Sequence, residues 1–275
     1  MRLFDRKFGP GFLAAVPSEP GVYRFLDAAG ALLYIGKAQS LRRRLAQYRT
    51  AGRRKRERKR RALVKAAATI TWEVCESELA ASLQELRLIQ SLRPRRNVTG
   101  AFSFMYPFIG VRVEGHETFF CLTSRPESAP SFELHGAYRS RAITREAFDA
   151  LARLLRFVGH PIPRPRCREV AAGARAVVVG FRRLPKDAPA RWAELLRGGS
   201  RDALEALALE LLEHPGAVAR RAEIQEDLAA VALFFEEEAR ALARARGAVG
   251  YTAYPVPQHE RDLLFTESRY SIRAI

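Results

Sequence analysis

The sequence predicts an α+β protein, with a small, mainly antiparallel sheet flanked by helices, then a β-hairpin and helix segment, then a helical C-terminal region. Two observations lead to this fold class. Short apolar runs bounded by turn residues fill 21–36 and 69–75, whereas runs with helical spacing fill 77–92 and the last third of the chain. The length of 275 residues and the hydrophobic content of 48% suit a globular chain of one or two domains.

Composition shifts divide the chain into five predicted segments. These are a sheet-and-helix domain at 15–100, a strand-and-helix extension at 101–160, a proline- and arginine-rich connector at 161–185, a helical hairpin region at 186–247 and a tail of unknown role at 248–275. The first segment contains the patterns that carry chemistry.

A β-hairpin is expected where two apolar runs, 21–26 and 31–36, flank the turn-like sequence DAAG. If DAAG is a four-residue loop, Tyr23 lies opposite Tyr34, and directly opposed residues project from the same face of a sheet. The two phenols then converge on one place. A cross-strand tyrosine pair is common in ordinary packing as well as in reactive sites, so the hairpin alone leaves both interpretations open.

The helix expected over 40–50, with Ser40 as its N-cap, has a basic face. Arg44 and Tyr48 are four residues apart and therefore share one side of this helix. Lys37 lies between the second strand and the helix. Taken alone, this is a basic surface helix; next to two converging phenols, the cations could bind a phosphate and lower the pKa of a phenol.

A second helix, expected over 77–92 and ended by Pro94, carries one unusual residue. At about 100° per residue its leucines and isoleucine spread over one apolar arc, and Glu85 falls inside that arc. A carboxylate that faces a core is costly unless it is paired or binds a metal. An arginine ion pair is one explanation. The other is a lone ligand for Mg²⁺, which keeps most of its waters and takes one or two carboxylates together with phosphate oxygens.

Positive charge is concentrated in the first third of the chain. The net charge is +17, and residues 1–99 hold 22 Lys and Arg against 8 Asp and Glu, compared with 25 against 22 in the rest. Such a field favours an anionic polymer partner. The run 53–61 is basic except at Glu57, and it is either a solvated arm or a contact to DNA phosphates. The candidate DNA-contacting residues are Arg42, Arg43, Arg53, Arg54, Lys55, Arg56, Arg58, Lys59, Arg60 and Arg61.

Cysteine usage and hydropathy exclude several classes of protein. Cys75, Cys121 and Cys167 are scattered and odd in number, which argues against a disulfide scaffold or a cysteine metal site. No apolar run approaches the ~18 residues of a membrane span, and the N-terminus has no secretory apolar core. A cytoplasmic location without a membrane partner is expected.

An ordered set of motifs in the first hundred residues resembles the GIY-YIG nuclease family, in particular the N-terminal half of the excision-repair nuclease UvrC and its short homologue Cho. The motifs are GVY at 21–23, YIG at 34–36, K-A-x-x-L-x-x-R at 37–44, Tyr48, Glu85 and the RPRRN sequence that ends at Asn97. The resemblance implies that Tyr23 is the general base, that Tyr34, Lys37, Arg44 and Tyr48 support it, that Asn97 orders the site and that Glu85 holds one divalent cation, Mg²⁺ or Mn²⁺.

The resemblance also carries expectations about function and about departures from the family. It implies a single 3′-side incision in damaged or distorted DNA during nucleotide excision repair. The helices after 186 are similar to the region that leads to a UvrB-binding hairpin, although a plain antiparallel helix pair explains them equally well. Arg96 replaces a usual tyrosine, and Cys167 alone remains of a cysteine cluster, so no iron–sulfur cluster is expected. The alternatives are a structure-selective nuclease outside repair and a catalytically silent module that binds DNA or UvrB.

Overall fold

The computed structural model describes residues 1–52, 57–97, 105–171 and 175–273, which divide into two units. The first unit is Met1–Phe104 with Phe265–Ile275, and the second is Met105–Leu264. Each unit contains one antiparallel sheet flanked by helices, and the C-terminal region is helical, which confirms the predicted α+β class. None of the helices in these described ranges combines the length and the hydropathy needed to cross a membrane.

The first unit is built on a three-stranded sheet. Its strands are β1 (Gly21–Leu26), β2 (Leu32–Ala38) and β3 (Thr69–Val74), in the spatial order β2-β1-β3. Its helices are α1 (Leu3–Phe8), α2 (Phe12–Ala15), α3 (Leu41–Arg49), α4 (Arg58–Ala66) and α5 (Glu78–Leu92). Strand β2 therefore lies at an edge of the sheet.

Local sequence signals account for the ends of the two helices that matter most to the site. Ser40 caps α3 by accepting a hydrogen bond from the backbone of Arg43, and Ser77 caps α5 by accepting one from Ala80. Helix α5 ends at Leu92. The next residue, Arg93, has a left-handed φ of 45° and is followed by a proline, which cannot continue a helix.

The predicted pairing of Tyr23 with Tyr34 is wrong. In the structure Tyr23 lies opposite Gly36, and Tyr34 lies opposite Phe25. The loop has five residues, and Asp27 stabilises it by accepting hydrogen bonds from two backbone N–H groups inside it. The strand pairing is also irregular between Phe25 and Leu26, at the end of β1. The register differs by two residues, and side chains alternate with a period of two. Both phenols therefore still project from one face.

The two faces of this sheet pack against different helices. One face buries aromatic residues of the hairpin against α1, α3 and α4 in a cluster that includes Phe4, Tyr23, Phe25, Leu45, Tyr48 and Leu63. The other face packs against α5 in a smaller cluster of Val22, Ile35, Ala81 and Ile89. Leu92, placed in the predicted apolar arc of α5, is 53% exposed, so the buried stripe is narrower than its leucines suggested.

The second unit is a five-stranded antiparallel sheet with helices. Its strands are β4 (Phe108–Glu114), β5 (Glu117–Thr123), β6 (Glu133–His135), β7 (His160–Pro161) and β8 (Ala176–Arg182), in the order β6-β4-β5-β8-β7. Its helices are α6 (Arg141–Val158), α7 (Arg164–Val170), α8 (Ala188–Arg197), α9 (Asp202–Glu213), α10 (Pro215–Val218), α11 (Arg221–Phe234) and α12 (Ala241–Ala248), with a π-helical segment at Phe235–Arg240. The last helix, α13 (Arg261–Arg273), begins here and ends in the first unit.

Three of the expected segments look different in the structure. The connector predicted at 161–185 contains α7 and β8, and β8 pairs with β5 along seven residues inside the sheet. The hairpin predicted at 186–247 is a series of helices rather than one helix pair. The tail predicted at 248–275 contains α13. Proline and arginine dominate the composition around β8, and they obscured its apolar run AVVVGF.

Candidate functional site

A phenol–arginine cluster lies on the face of the sheet that packs against α3. Tyr23 is fully buried, and its hydroxyl is 3.0 Å from the hydroxyl of Tyr48. Arg44 donates from Nε to the Tyr23 hydroxyl at 3.1 Å and from Nη1 to Gln47 at 2.9 Å. Since a guanidinium can only donate, the Tyr23 oxygen is the acceptor. The ring of Tyr34, half-buried on the same face, lies with its centre 6.2 Å from that of Tyr23.

Burial controls the proton affinity of these phenols. Burial raises the pKa of Tyr23 well above its usual value; nearby Tyr48 adds to this, and the charge of Arg44 opposes it. Burial also raises the pKa of Tyr34 to about 12 and the pKa of Tyr48 to about 12. All three phenols are therefore protonated at neutral pH in the protein alone.

Gly36 makes room for the Tyr23 phenol. A Cβ atom on Gly36 would lie 2.4 Å from the Tyr23 hydroxyl and 2.9 Å from the ring of Tyr34. Sequence analysis assigned no role to this glycine, although it is the last residue of the YIG motif. Its absent side chain allows the phenol of β1 to lie across β2.

On the opposite face of the sheet, Lys37 of β2 contacts Glu85 and Ser82 of α5. The backbone N–H of Lys37 donates to Oε1 of Glu85 at 3.1 Å, and Nζ of Lys37 donates to the Ser82 hydroxyl at 2.6 Å. Glu85 is half-buried on α5. Burial raises its pKa, while the positive charges of Lys37 and Arg44 lower it. The Glu85 carboxylate is therefore held by a backbone N–H group of the edge strand β2.

Glu85 and the phenol–arginine cluster are close enough for the charges of one to change the pKa values of the other. The charge of Glu85 raises the pKa of Tyr34, and the charge of Arg44 lowers the pKa of Glu85, so their fields overlap. The sequence suggested that Lys37 could lower the pKa of a phenol, but its side chain lies on the face opposite to the phenols. Arg44 is the cation beside Tyr23, whereas Lys37 points to the other face and acts on Glu85.

Asn97 holds the outer edge of β2. Its Oδ1 accepts from the backbone N–H of Ile35 at 2.9 Å, and its Nδ2 donates to the carbonyl of Ile35 at 2.8 Å. The neighbouring backbone N–H of Arg96 donates to the carbonyl of Leu33 at 3.0 Å. The asparagine side chain thus replaces a neighbouring strand at this position, and it is 6% exposed.

The donor set around Glu85 fits one kind of metal. Within the described ranges no group of three or more His, Cys, Asp or Glu side chains is placed to hold an ion. A site with a single carboxylate suits a hard cation that keeps most of its waters, such as Mg²⁺. It does not suit Zn²⁺, which prefers several nitrogen or sulfur ligands.

One of the predicted DNA-contacting residues, Arg60, lies near the phenol cluster. Residues 53–56, among the predicted DNA contacts, lie outside the described part of the chain. On α4, Arg58, Lys59 and Arg61 are exposed, and half-buried Arg60 lies close enough for its charge to lower the pKa of Tyr48. The two predicted contacts on α3, Arg42 and Arg43, are also exposed, and Arg42 donates from Nε to the carbonyl of Val16.

Two further polar residues at the site were missed by sequence reasoning. Ser82 lies one turn before Glu85 on the same side of α5 and is 4% exposed, so a polar residue inside an apolar stripe was the available signal. Gln47, which accepts from Arg44, gave no signal, because a glutamine on a surface helix is ordinary.

Comparison with known proteins identifies a domain in the first third of the chain. Residues 19–98 match the family model of the UvrC-like GIY-YIG domain. The protein named UvrABC system protein C of Proteus mirabilis is 41% identical over 114 residues, which are 42% of this chain and 18% of the relative. The protein of the same name from Legionella pneumophila is 35% identical over 147 residues, 53% of this chain and 23% of the relative. The chain thus spans about a fifth of the length of these curated relatives.

A solved structure is similar to part of this chain. It is the GIY-YIG N-terminal endonuclease domain of UvrC from Thermotoga maritima, in a crystal with its catalytic divalent cation, magnesium. It is 34% identical to this chain and covers 31% of this chain and 91% of its own, with a TM-score of 0.29. On the match to the family model and the sequence identity to these relatives, residues 19–98 are a GIY-YIG domain of the UvrC-like kind.

Proposed function

We propose that this chain is a metal-dependent DNA endonuclease that makes a single 3′-side incision in damaged or distorted duplex during nucleotide excision repair. The observation that carries the proposal is the placement of Glu85 on one face of the edge strand β2 and of Tyr23, Tyr48 and Arg44 on the other. The UvrC-like domain at 19–98 and the relatives named UvrABC system protein C support the assignment to repair.

Glu85 is the residue that would hold the divalent cation, Mg²⁺ or Mn²⁺. Its carboxylate is anchored through Oε1 by the backbone of Lys37, which fixes the direction in which it points. When bound, such a cation supplies positive charge that polarises a phosphate oxygen and stabilises the leaving oxygen. Lys37 and Arg44 favour the ionised carboxylate that a cation requires.

Arg44 has two tasks in this scheme. Its planar guanidinium binds phosphate oxygens better than an ammonium, and N–H groups beyond those on Tyr23 and Gln47 serve that purpose. The charge of Arg44 also favours the phenolate form of Tyr23, whereas burial favours the protonated form. Since Tyr23 is protonated in the resting protein, it must first release its own proton to solvent, and Arg44 assists that loss by favouring the phenolate. The phenolate can then take a proton from the attacking water.

DNA and UvrB are the proposed partners. The exposed cations of α3 and α4 lie beside the phenol cluster and would contact phosphates on either side of the bond to be cut. Such contacts give affinity without a choice of sequence. The helices of 186–247 offer the surface for UvrB.

The test uses a labelled duplex with one bulky lesion, Mg²⁺, and the full chain with and without UvrB. A single nick on the 3′ side of the lesion that requires UvrB is the expected result. Nicking that ignores both lesion and UvrB would instead indicate a structure-selective nuclease. Bound DNA without a nick under any condition would indicate a silent binding module.

Two variants connect the activity to the site. Glu85→Ala and Tyr23→Phe should each reduce nicking by at least about 100-fold, because each removes a group that acts on the reacting phosphate or water. Binding to DNA should stay within about twofold of the unchanged protein. Glu76→Gln, a change at an exposed carboxylate just before α5, is the matched control. Unreduced cutting by the Glu85 variant would refute the metal assignment.

A further inference from the structure

The C-terminal end of the chain returns to the candidate site. Residues 265–275 belong to the first unit, although 160 residues of the second unit separate them from the rest of it along the chain. Tyr270, on α13, places its hydroxyl 3.2 Å from the hydroxyl of Ser82 on α5. This segment is the one to which sequence analysis gave no role.

The direction of each hydrogen bond at Ser82 follows from its partners. Lys37 Nζ, an ammonium without a lone pair, must donate to Ser82 Oγ. The carbonyl of Glu78, 2.7 Å away, can only accept, so it receives the single hydroxyl hydrogen of Ser82. The remaining lone pair of Ser82 therefore accepts from the Tyr270 hydroxyl. The tyrosine is the donor that completes the hydrogen bonding of this buried serine.

The serine in turn controls how Lys37 is held. Lys37 is fixed at two points, by its side chain on Ser82 and by its backbone N–H on the carboxylate of Glu85. Ser82 and Glu85 are three residues apart, on the same side of one helix. A displaced serine hydroxyl would release the lysine side chain next to the carboxylate that has to face a cation.

We propose that Tyr270 is a positioning residue for the divalent-cation site, acting through Ser82 and Lys37 on Glu85. The inference rests on the proposed function, because it takes Glu85 as the cation ligand. It implies that the C-terminal helix completes the nuclease unit. Partners that orient a ligand, without touching the ion, typically change metal affinity by about 10–100-fold. Tyr270 is a further step away, so about 3–10-fold is expected.

The decisive variant is Tyr270→Phe, which removes the hydroxyl and keeps the ring. Mn²⁺ binding to the full chain is measured by electron paramagnetic resonance, and nicking is measured as a function of Mg²⁺ concentration. We expect the Mn²⁺ dissociation constant and the half-saturating Mg²⁺ concentration to rise by about 3–10-fold, with the rate at saturating Mg²⁺ within about twofold. Ser271→Ala is the control, since its hydroxyl bonds to Glu267 on the same helix.

A double-mutant cycle tests the route of the effect. Ser82→Ala should weaken Mn²⁺ binding, and adding Tyr270→Phe should weaken it no further, because the tyrosine acts through the serine. Unchanged Mn²⁺ binding in Tyr270→Phe overturns the proposal. So does tighter binding or faster nicking, which would make the tyrosine a cover over the site.

The Mn²⁺ measurement also separates the two proposals. If the unchanged protein binds Mn²⁺ but never nicks, and Tyr270→Phe weakens binding, the positioning role stands and the proposed reaction fails. If the unchanged protein nicks and Tyr270→Phe behaves like it, only the positioning role fails. If the unchanged protein binds no Mn²⁺, both fail.

Discussion

Gly36 is the residue for which one added atom has the clearest consequence. A Cβ there would collide with the Tyr23 hydroxyl, which cannot move freely, because it is fully buried and bonded to Tyr48 and Arg44. We expect Gly36→Ala to lower the free energy of unfolding by about 1–3 kcal/mol. The added methyl group would also displace the Tyr23 hydroxyl, and displacing a reacting group lowers a rate on the order of 100-fold, so the rate of nicking should fall by about that factor. Urea unfolding and single-turnover nicking measure the two effects.

The matched control for Gly36→Ala is Gly11→Ala. Gly11 has helical backbone angles, and a Cβ there would meet no heavy atom within 4 Å. Its variant should therefore unfold and nick like the unchanged protein. If both variants were equally stable and active, the explanation of the YIG glycine as space for the phenol would be wrong.

His135 makes the stability of the second unit depend on pH. It is fully buried, and burial lowers its pKa to about 4, with Glu133 opposing and Arg197 assisting. An unfolded histidine has a pKa of about 6.5, so between pH 6.5 and 4 the unfolded chain binds more protons. Stability from this group is present above pH 6.5 and is lost as the pH falls, by up to about 3 kcal/mol.

Urea unfolding at pH 7.5 and pH 5, followed by the fluorescence of Trp192 in a Trp72→Phe background, measures this loss in the second unit. His135→Gln cannot take up the proton, so its stability should differ less between the two pH values, even if it is lower at both. His116→Gln, at an exposed position, should keep the full difference. Equal pH dependence in all three proteins would contradict the assignment to His135.

At the scale of elements, the edge strand β2 depends on one side chain. Asn97→Ala would leave the buried N–H and C=O groups of Ile35 without partners, at a cost of about 2 kcal/mol or more. Amide hydrogen exchange at Ile35 should accelerate by at least about 10-fold, and nicking should fall because Gly36 and Lys37 follow in the same strand. Arg96→Ala keeps its backbone bond to Leu33 and should change little. Unchanged exchange in Asn97→Ala would refute the edge role.

Sequence patterns predicted elements well where the signal was local. Strand β1 and helices α3 and α5 follow from alternation, helical spacing and serine caps that act within a few residues. The register of β1 and β2 was missed, because the hydrogen bonds of Asp27 set the loop length and composition does not reveal them. The convergence of the phenols survived this error only because the shift was an even number of residues.

Contacts between distant parts of the chain were beyond sequence reasoning. Nothing near Tyr270 points to a serine 188 positions away. Strand β8 belongs to its sheet through pairing with β5, and its surroundings resemble a linker. The side of the sheet that Lys37 takes follows, by contrast, from local alternation: Lys37 lies three residues after Tyr34, an odd number, so its side chain projects from the face opposite to the phenols.

At the scale of the whole molecule, the charge is divided unequally. The first 99 residues hold 22 basic against 8 acidic residues, whereas the remaining 176 hold 25 against 22. Affinity for a polyanion depends on where cations can neutralise phosphates, and net charge sets only the long-range attraction. The exposed cations of α4 should therefore matter more to DNA binding than an equal number elsewhere.

Replacing Arg58, Lys59 and Arg61 with glutamine tests this. Each lost phosphate contact reduces the slope of log K against log salt by about 0.9, so three contacts should reduce it by about 2.7. The control removes the same number of exposed cations from the second unit, at Arg164, Arg168 and Lys186, and should leave the slope nearly unchanged. Nicking at saturating DNA should be similar in both. Equal slopes in the two variants would mean that net charge alone governs binding and that α4 is not part of the DNA interface.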